Sequence, residues 1–322
     1  MPYFMMSNRK LSGGEPGEDC ADTMNHYFAK DSAGSKLTQF TFWEKVSASD
    51  FRKLLTDTAM SFPEIADDNN ESQKHVSLFV HGYNVGWKDA AARYADLGKR
   101  LYSGAKSLGT LVLYTWPSNG SVAGYLPDRE DARASAPVLA DALVTLHDHI
   151  IAMQRLAALN PGKQCKAKIS VIAHSMGNYV MQNALAIAAK KLNSPQLITL
   201  VHQLVMVAAD VDNDIFQKDQ PGASDGSLMS NLCYRIGALY TGLDQVLGAS
   251  AGLKHFGTRR LGRSGIADRD NVWDNVFDLD VTDFIDQSKS IHSAALESPK
   301  SVDLIRQILT GVDRGFLPQP KH

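Results

Sequence analysis

Lys168-Ile-Ser-Val-Ile-Ala-His-Ser-Met-Gly-Asn-Tyr-Val-Met-Gln-Asn-Ala-Leu185 decides how this chain is read, because a β-branched run changes at Ser175 into a helical pattern. Ile169, Val171 and Ile172 suit a parallel strand covered on both faces, whereas Tyr179, Val180, Ala184 and Leu185 recur at the spacing of a helix stripe. Ser175 then sits on a sharp turn between the two. Ala173 and Gly177, on either side of it, are small enough to let neighbouring backbone approach the turn. The helix behind aims its unpaired N–H groups at the serine, where an oxyanion would form. This is the pattern of a nucleophile elbow with Ala at its first glycine position. A plain turn ending a strand could carry the same residues, but the strand before and the helix after favour the elbow. An elbow requires an oxyanion loop upstream, then an acid and a histidine downstream in that order.

Upstream, Val76-Ser-Leu-Phe-Val80 predicts a buried strand, with His81-Gly-Tyr-Asn-Val-Gly86 directly behind it and a helix from about Lys88 to Tyr102. In such a loop the residue after Gly82 turns its N–H towards the nucleophile, so the backbone N–H groups of Tyr83 and Met176 are the candidate oxyanion donors. His81 reads as an anchor of the loop rather than a base. Leu111 to Thr115 is the next strand; Trp116-Pro-Ser118 breaks it, and Tyr125 and Asp128 precede a long helix through Val138, Leu139 and Leu143. Residues 1–35 read mostly as loop, Leu37 to Trp43 alternates like a strand, and Ser49-Asp50 opens a helix through Phe51, Leu54 and Leu55. The polar stretch from Ala66 to Lys74 reads as a surface loop.

Downstream, Leu204 to Ala209 is a strand ending in Asp210-Val-Asp212, and a second strand from about Tyr234 to Tyr240 delivers Asp244. The acid of an elbow fold usually follows the second strand after the nucleophile, which selects Asp244; Asp210 and Asp212 are the alternative acids, and read otherwise as caps of the following turn or helix. The Gly- and Arg-rich segment from Gly248 to Arg269 reads as a surface excursion. Val276 to Asp280 is a last strand with a loop to His292, and Leu304, Ile305 and Ile308 mark a closing amphipathic helix. His292 has the expected place for the general base. His202 enters a strand, His255 lies in the Arg-rich excursion, and the side chain of His174 leaves the backbone in a different direction from that of Ser175.

Composition narrows the class. The 322 residues hold 44% hydrophobic and 21% charged side chains, as in globular domains, and 33 basic against 35 acidic residues argue against a nucleic-acid or anionic-membrane partner. Three cysteines, Cys20, Cys165 and Cys233, are odd in number and lack C-x-x-C spacing, which speaks against a disulfide framework or a zinc site and for reduced thiols in the cytoplasm. The N-terminus turns polar too soon for an export signal, and no run of 18 apolar residues predicts a membrane span. Residues 1–74 read as an N-terminal extension with an edge strand and a helix, and residues 75–322 as the catalytic core. Strands alternating with helices, with candidate residues at strand C-terminal ends, describe an α/β fold with a doubly wound, mostly parallel sheet and helices on both faces.

Taken together, Ser7-Asn-Arg9, His81-Gly-Tyr-Asn84, Trp116-Pro-Ser118 with Tyr125 and Asp128, Ala173-His-Ser-Met-Gly-Asn178, Ala209-Asp-Val-Asp212, Arg260-Leu-Gly262 and His292-Ser293 resemble the bacterial α/β-hydrolase family catalogued as a domain of unknown function, DUF900. Ala294-Ala295 stand where that family carries aromatic residues. The resemblance implies a serine hydrolase; the reading of the residues gives it a Ser175, Asp244 and His292 triad and, because the interval from Asp210 to Leu232 is too short and polar for a large apolar cap, a small-molecule ester as substrate, with no metal or organic cofactor required. An acyltransferase or thioesterase on the same triad, or an inactive hydrolase-like binding protein, are the alternatives.

Overall fold

The β-branched runs become neighbouring strands of one sheet in a computed structural model that describes residues 2–63, 74–119, 124–160, 167–192, 199–221, 224–254 and 257–319. The strands are β1 (Tyr3–Ser12), β2 (Glu15–Ala29), β3 (Glu44–Val46), β4 (His75–Val80), β5 (Gly109–Thr115), β6 (Lys168–His174), β7 (Val201–Val207), β8 (Cys233–Tyr240) and β9 (Val276–Asp280). They form a nine-stranded sheet in the order β3-β2-β1-β5-β4-β6-β7-β8-β9. From β1 to β9 all neighbours are parallel, and only β1–β2 and β2–β3 run antiparallel.

The helices are α1 (Ala48–Met60), α2 (Trp87–Leu101), α3 (Tyr125–Leu159), α4 (Gly177–Leu192), α5 (Asp225–Leu232), α6 (Gln245–Ala249), α7 (Leu261–Ser264), α8 (Ile291–Glu297) and α9 (Pro299–Leu309). Strand alternation sorts them into two layers. Ile172 joins Phe79, Leu113, Val205 and Leu239 in a core with residues of α2, α8 and α9. Its neighbours Val171 and Ala173 join Val80, Tyr114, Met206 and Ile236 in a second core with α3, α4 and α5. The expected doubly wound sheet is therefore present. Its winding reverses at β4, which pairs with β5 on one side and β6 on the other. At such a switch point the loops leaving the two strands diverge and open a crevice, here between the loop after β4 and the turn after β6.

Three local expectations are corrected. Most of residues 1–35 is not loop: β1 and β2 form a long hairpin, turned by Gly13 and Gly14 at φ 61° and 84°. Paired glycines are a two-residue hairpin signal, but the acidic, glycine-containing sequence of β2 hides its strand character because much of it faces solvent. Residues 37–43 are not a strand; Phe40–Phe42 is a 3-10 turn and the edge strand is β3. The Gly248 to Arg269 excursion is not all surface, since Arg260 and Leu261 are fully buried. His292 follows the loop after β9, as expected, and lies at the start of α8. The polar segment from Ala66 falls, up to residue 73, outside the described residues, as do Cys165 and His255.

The stretch Tyr125–Met153 of α3 is, among the described residues, long and apolar enough to cross a bilayer by length and composition alone. Its Ala132, Ala136, Leu139, Ala140 and Leu143 are buried in the core shared with α4.

Candidate active site

Ser175 takes φ +53°, a left-handed conformation that non-glycine residues rarely adopt. Surrounding hydrogen bonds hold it there. Its N–H donates to the Val207 carbonyl at 3.0 Å, and its own carbonyl accepts from the backbone N–H of Asn178 at 3.0 Å and of Asp210 at 3.2 Å. The buried Asn178 amide also donates to the carbonyls of Ala173 and Ser175. Gly177 is dictated by packing: a Cβ there would lie 2.4 Å from the His81 carbonyl oxygen, so any side chain would push α4 off the end of β4.

The loop after β4 presses against this turn. A Cβ on Gly82 would fall 2.6 Å from Cβ of Ser175, which brings the Tyr83 segment beside the serine, with Met176 next to Ser175 at the start of the elbow helix. His81 is the anchor rather than a base. It is fully buried and stacks on Trp116 at 5.3 Å, and Trp116 returns an indole N–H to the His81 carbonyl at 2.9 Å. Trp116 N–H donates to its Nε2, so the proton sits on Nδ1, which reaches the Gly82 carbonyl at 2.9 Å. Burial, then the charge of Arg9, pushes the His81 pKa well below its usual value and keeps the ring neutral.

Downstream, β8 delivers Asp244 and the chain after β9 delivers His292. Nε2 of His292 lies 2.8 Å from Oγ of Ser175, and Nδ1 lies 2.7 Å from Oδ2 of Asp244. The other Asp244 oxygen accepts the Leu247 N–H at 3.0 Å, capping α6. The carboxylate is fully buried and acceptor-only, so it fixes the imidazole proton on Nδ1 and leaves the Nε2 lone pair facing the serine hydroxyl. Chemically, such a line can take a proton from Ser175 and hold the imidazolium that results.

Asp210 and Asp212, the alternative acids, go elsewhere. Neither caps a helix. Arg260 donates from Nε to Asp210 at 2.9 Å and from Nη1 to Asp212. Tyr125 and Ser250 donate to the remaining positions of the Asp210 carboxylate at 2.8 and 3.0 Å. Burial alone would raise this carboxyl, but the Arg260 charge, the hydrogen bonds from Tyr125 and Ser250 and the charge of Arg129 together outweigh it and hold Asp210 below its usual range. The pair also explains why the Arg-rich segment is inside: its charge is neutralised, and Gly262 lets the chain lie against β7, where a Cβ would be 2.1 Å from the Ala209 nitrogen.

Other candidates lie apart. His202, at the opposite end of its strand, stacks on Tyr234 at 4.9 Å. Among the described residues no His, Cys, Asp and Glu cluster could hold a metal ion. The sequence reading missed the supporting parts: His174, whose Nε2 faces the His292 carbonyl, and Arg9, Asn178 and Arg260. Each lay inside a motif already singled out, but a buried support and a solvated side chain look alike in sequence.

The profile of the family described as alpha/beta hydrolase of unknown function (DUF900) matches residues 61–310, which leaves out Ser7-Asn-Arg9. An uncharacterised protein of Nostoc sp. (strain PCC 7120) is 27% identical over 173 residues, 47% of this chain and 39% of the Nostoc protein. The chain thus matches about two fifths of that relative's length. Among solved structures, lipase B of Aspergillus fumigatus has a TM-score of 0.38 at 10% identity, covering 77% of this chain and 55% of the lipase. An esterase of Pyrobaculum calidifontis has 0.34 at 12% identity, covering 90% of this chain and 100% of the esterase. A thermostable esterase of Pseudomonas putida has 0.33 at 13% identity, covering 85% and 92%. All three are distant likenesses.

Proposed function

The chain belongs to the α/β-hydrolase family of unknown function, DUF900, and we propose that it is a hydrolase that cleaves carboxylic esters of small or short-chain acyl groups through an acyl-enzyme on Ser175. The observation that carries this reading is the continuous line from Asp244 through His292 to Ser175, with 2.7 and 2.8 Å contacts and the serine at a left-handed turn. In this reading His292 Nε2 accepts the Ser175 proton as Oγ attacks the acyl carbonyl, and Asp244 stabilises the imidazolium without taking its proton. The backbone N–H groups of Tyr83 and Met176 receive the charge on the carbonyl oxygen. His292 then protonates the leaving alkoxide. Water, deprotonated by the same ring, releases the acyl group and restores the serine.

The preference for short acyl groups is supported by the interval between β7 and β8. Its apolar side chains Phe216 and Met229 are buried in the sheet-covering core rather than spread over the serine, and its remainder is largely polar.

The test is a fluorophosphonate. Labelling of one serine is expected, abolished by Ser175→Ala together with a fall in turnover of several orders of magnitude. Labelling or turnover that survives Ser175→Ala would sink the reading. An acyl-enzyme that forms in a burst and is released by an added alcohol or thiol, but not by water, would mark a transferase instead.

A further inference from the structure

Ser7-Asn-Arg9 has no part in the proton-transfer line, yet Arg9 is among the largest fully buried side chains. A guanidinium out of water needs partners for its charge and for all five of its donor hydrogens. Arg9 finds the second set completely. Nε donates to Oγ1 of Thr115 at 2.9 Å, Nη1 to the carbonyls of Gly17 at 2.9 Å and Ser118 at 3.4 Å, and Nη2 to the carbonyls of Val85 at 2.9 Å and Ser118 at 3.5 Å. Among the described residues no carboxylate touches it, although the negative charge of Asp128 is within range. Burial lowers its pKa to about 10, which leaves it charged at neutral pH.

These contacts converge on one loop from both ends. At the far end, Arg9 holds the Val85 carbonyl directly, while the Val85 N–H donates to Oγ of Ser118 at 3.1 Å. At the near end, Thr115 accepts from Arg9 and lies 3.1 Å from Nε2 of His81, so its hydroxyl donates to that ring, which in turn holds the Gly82 carbonyl. Between the two ends, Asn84 is held at φ +58° with its N–H on Asp128, and the Ser118 hydroxyl donates to the same carboxylate. Tyr83, the candidate oxyanion donor, lies in the clamped interval.

We propose that Arg9 is the positioning residue of the oxyanion loop, so that the N-terminal hairpin is part of the catalytic unit although the family match begins after it. The proposal rests on the reading of Ser175 as nucleophile. Arg9 touches no substrate; it acts by fixing where the Tyr83 N–H points, and a donor displaced from the developing oxyanion is lost mainly in the transition state. Lysine carries the charge but cannot span Thr115, Gly17, Ser118 and Val85 at once.

The full chain with Arg9→Lys, and separately with Thr115→Val, is titrated with a fluorophosphonate. Turnover per titrated Ser175, KM and the affinity of a boronic acid that forms a tetrahedral adduct are then measured well below the unfolding transition. For Arg9→Lys the expected result is a fall in kcat of roughly thirtyfold or more, KM within about threefold, and boronate affinity falling with kcat. Thr115→Val removes the oxygen that joins Nε of Arg9 to the His81 ring and should lower both by roughly three- to tenfold, which decides the matter if the arginine variant does not fold. A residue that only stabilises the hairpin would lower the melting temperature and leave both quantities per titrated site unchanged; that result in the variants that fold overturns the proposal. Failure of the serine reading shows separately, as labelling that persists in Ser175→Ala.

Discussion

His174 and His292 are joined ring to backbone: Nε2 of His174 lies 2.9 Å from the main-chain carbonyl of His292, and the two rings are 5.0 Å apart. The residue before the serine therefore holds the segment that carries the histidine facing that serine. Since a carbonyl only accepts, His174 carries its proton on Nε2 and is a neutral donor. Burial, reinforced by the nearness of His292, pushes its pKa well below the usual range, so it adds no charge beside a ring that would have to become cationic.

His174→Leu is expected to remove the bond that ties the His292 carbonyl to the elbow and let α8 shift, lowering kcat by roughly ten- to a hundredfold, because small misplacements of a reacting group are that costly. His174→Gln, which keeps an N–H donor at similar reach, should stay within about fivefold. Steady-state kinetics normalised to titrated Ser175 checks this, and a fully active leucine variant would show that the contact positions nothing.

Asp244→Asn should lower kcat by roughly two to four orders of magnitude, because the amide can donate to Nδ1 and favour the wrong tautomer. Asp212→Asn should stay within about tenfold, as that carboxylate is half exposed and shares only one edge of Arg260. Asp210→Asn is expected to act on stability instead, by roughly 3 kcal/mol, since it leaves the buried Arg260 charge with only the half-exposed Asp212 as counter-charge. Near-normal turnover in Asp244→Asn would move the role of acid elsewhere.

Acid should destabilise the fold through its buried histidines. His75 is buried and its pKa is lowered to about 3 by burial, then by the charges of His202, Lys168 and Lys74; His81 and His174 are shifted in the same direction. A base whose folded pKa lies below its unfolded value, about 6.5, binds more protons when unfolded, so stability falls as pH drops from about 6.5 towards 3. Each such residue contributes up to about 1.4 kcal/mol per pH unit in that window. Denaturant unfolding at about pH 7, 6 and 5 should reveal the slope, and His75→Gln should reduce it by about one residue's share. Stability that stays flat over this range would mean that these rings do not titrate on unfolding.

A series of p-nitrophenyl esters from acetate to palmitate should give the highest kcat/KM at the short end. Each methylene adds about 0.8 kcal/mol of binding only if it is buried, and the chain between β7 and β8 spends Phe216 and Met229 on the core. A maximum at long chains would show that another segment covers the site, with the exposed Leu126, Leu243 and Val246 as first candidates for its apolar lining.

What the sequence determined by itself was local or sequential. The change of period at Ser175, the small Gly177, the His81-Gly82 pair and the alternation of strands with helices all act between near neighbours, so a doubly wound sheet with a strained serine turn was legible. The order of strands then pointed to Asp244 and His292, which the fold brings to the serine. Tertiary structure decided the rest. Whether Arg9 and Arg260 are surface charges or buried struts depends on carbonyls and carboxylates supplied by segments as much as 109 residues away. The hairpin of β1 and β2 likewise gains its identity from pairing with β5. Backbone preferences are set by adjacent residues, whereas the cost of burying a charge is set by whichever partners the whole chain brings to it, and no local pattern records those partners.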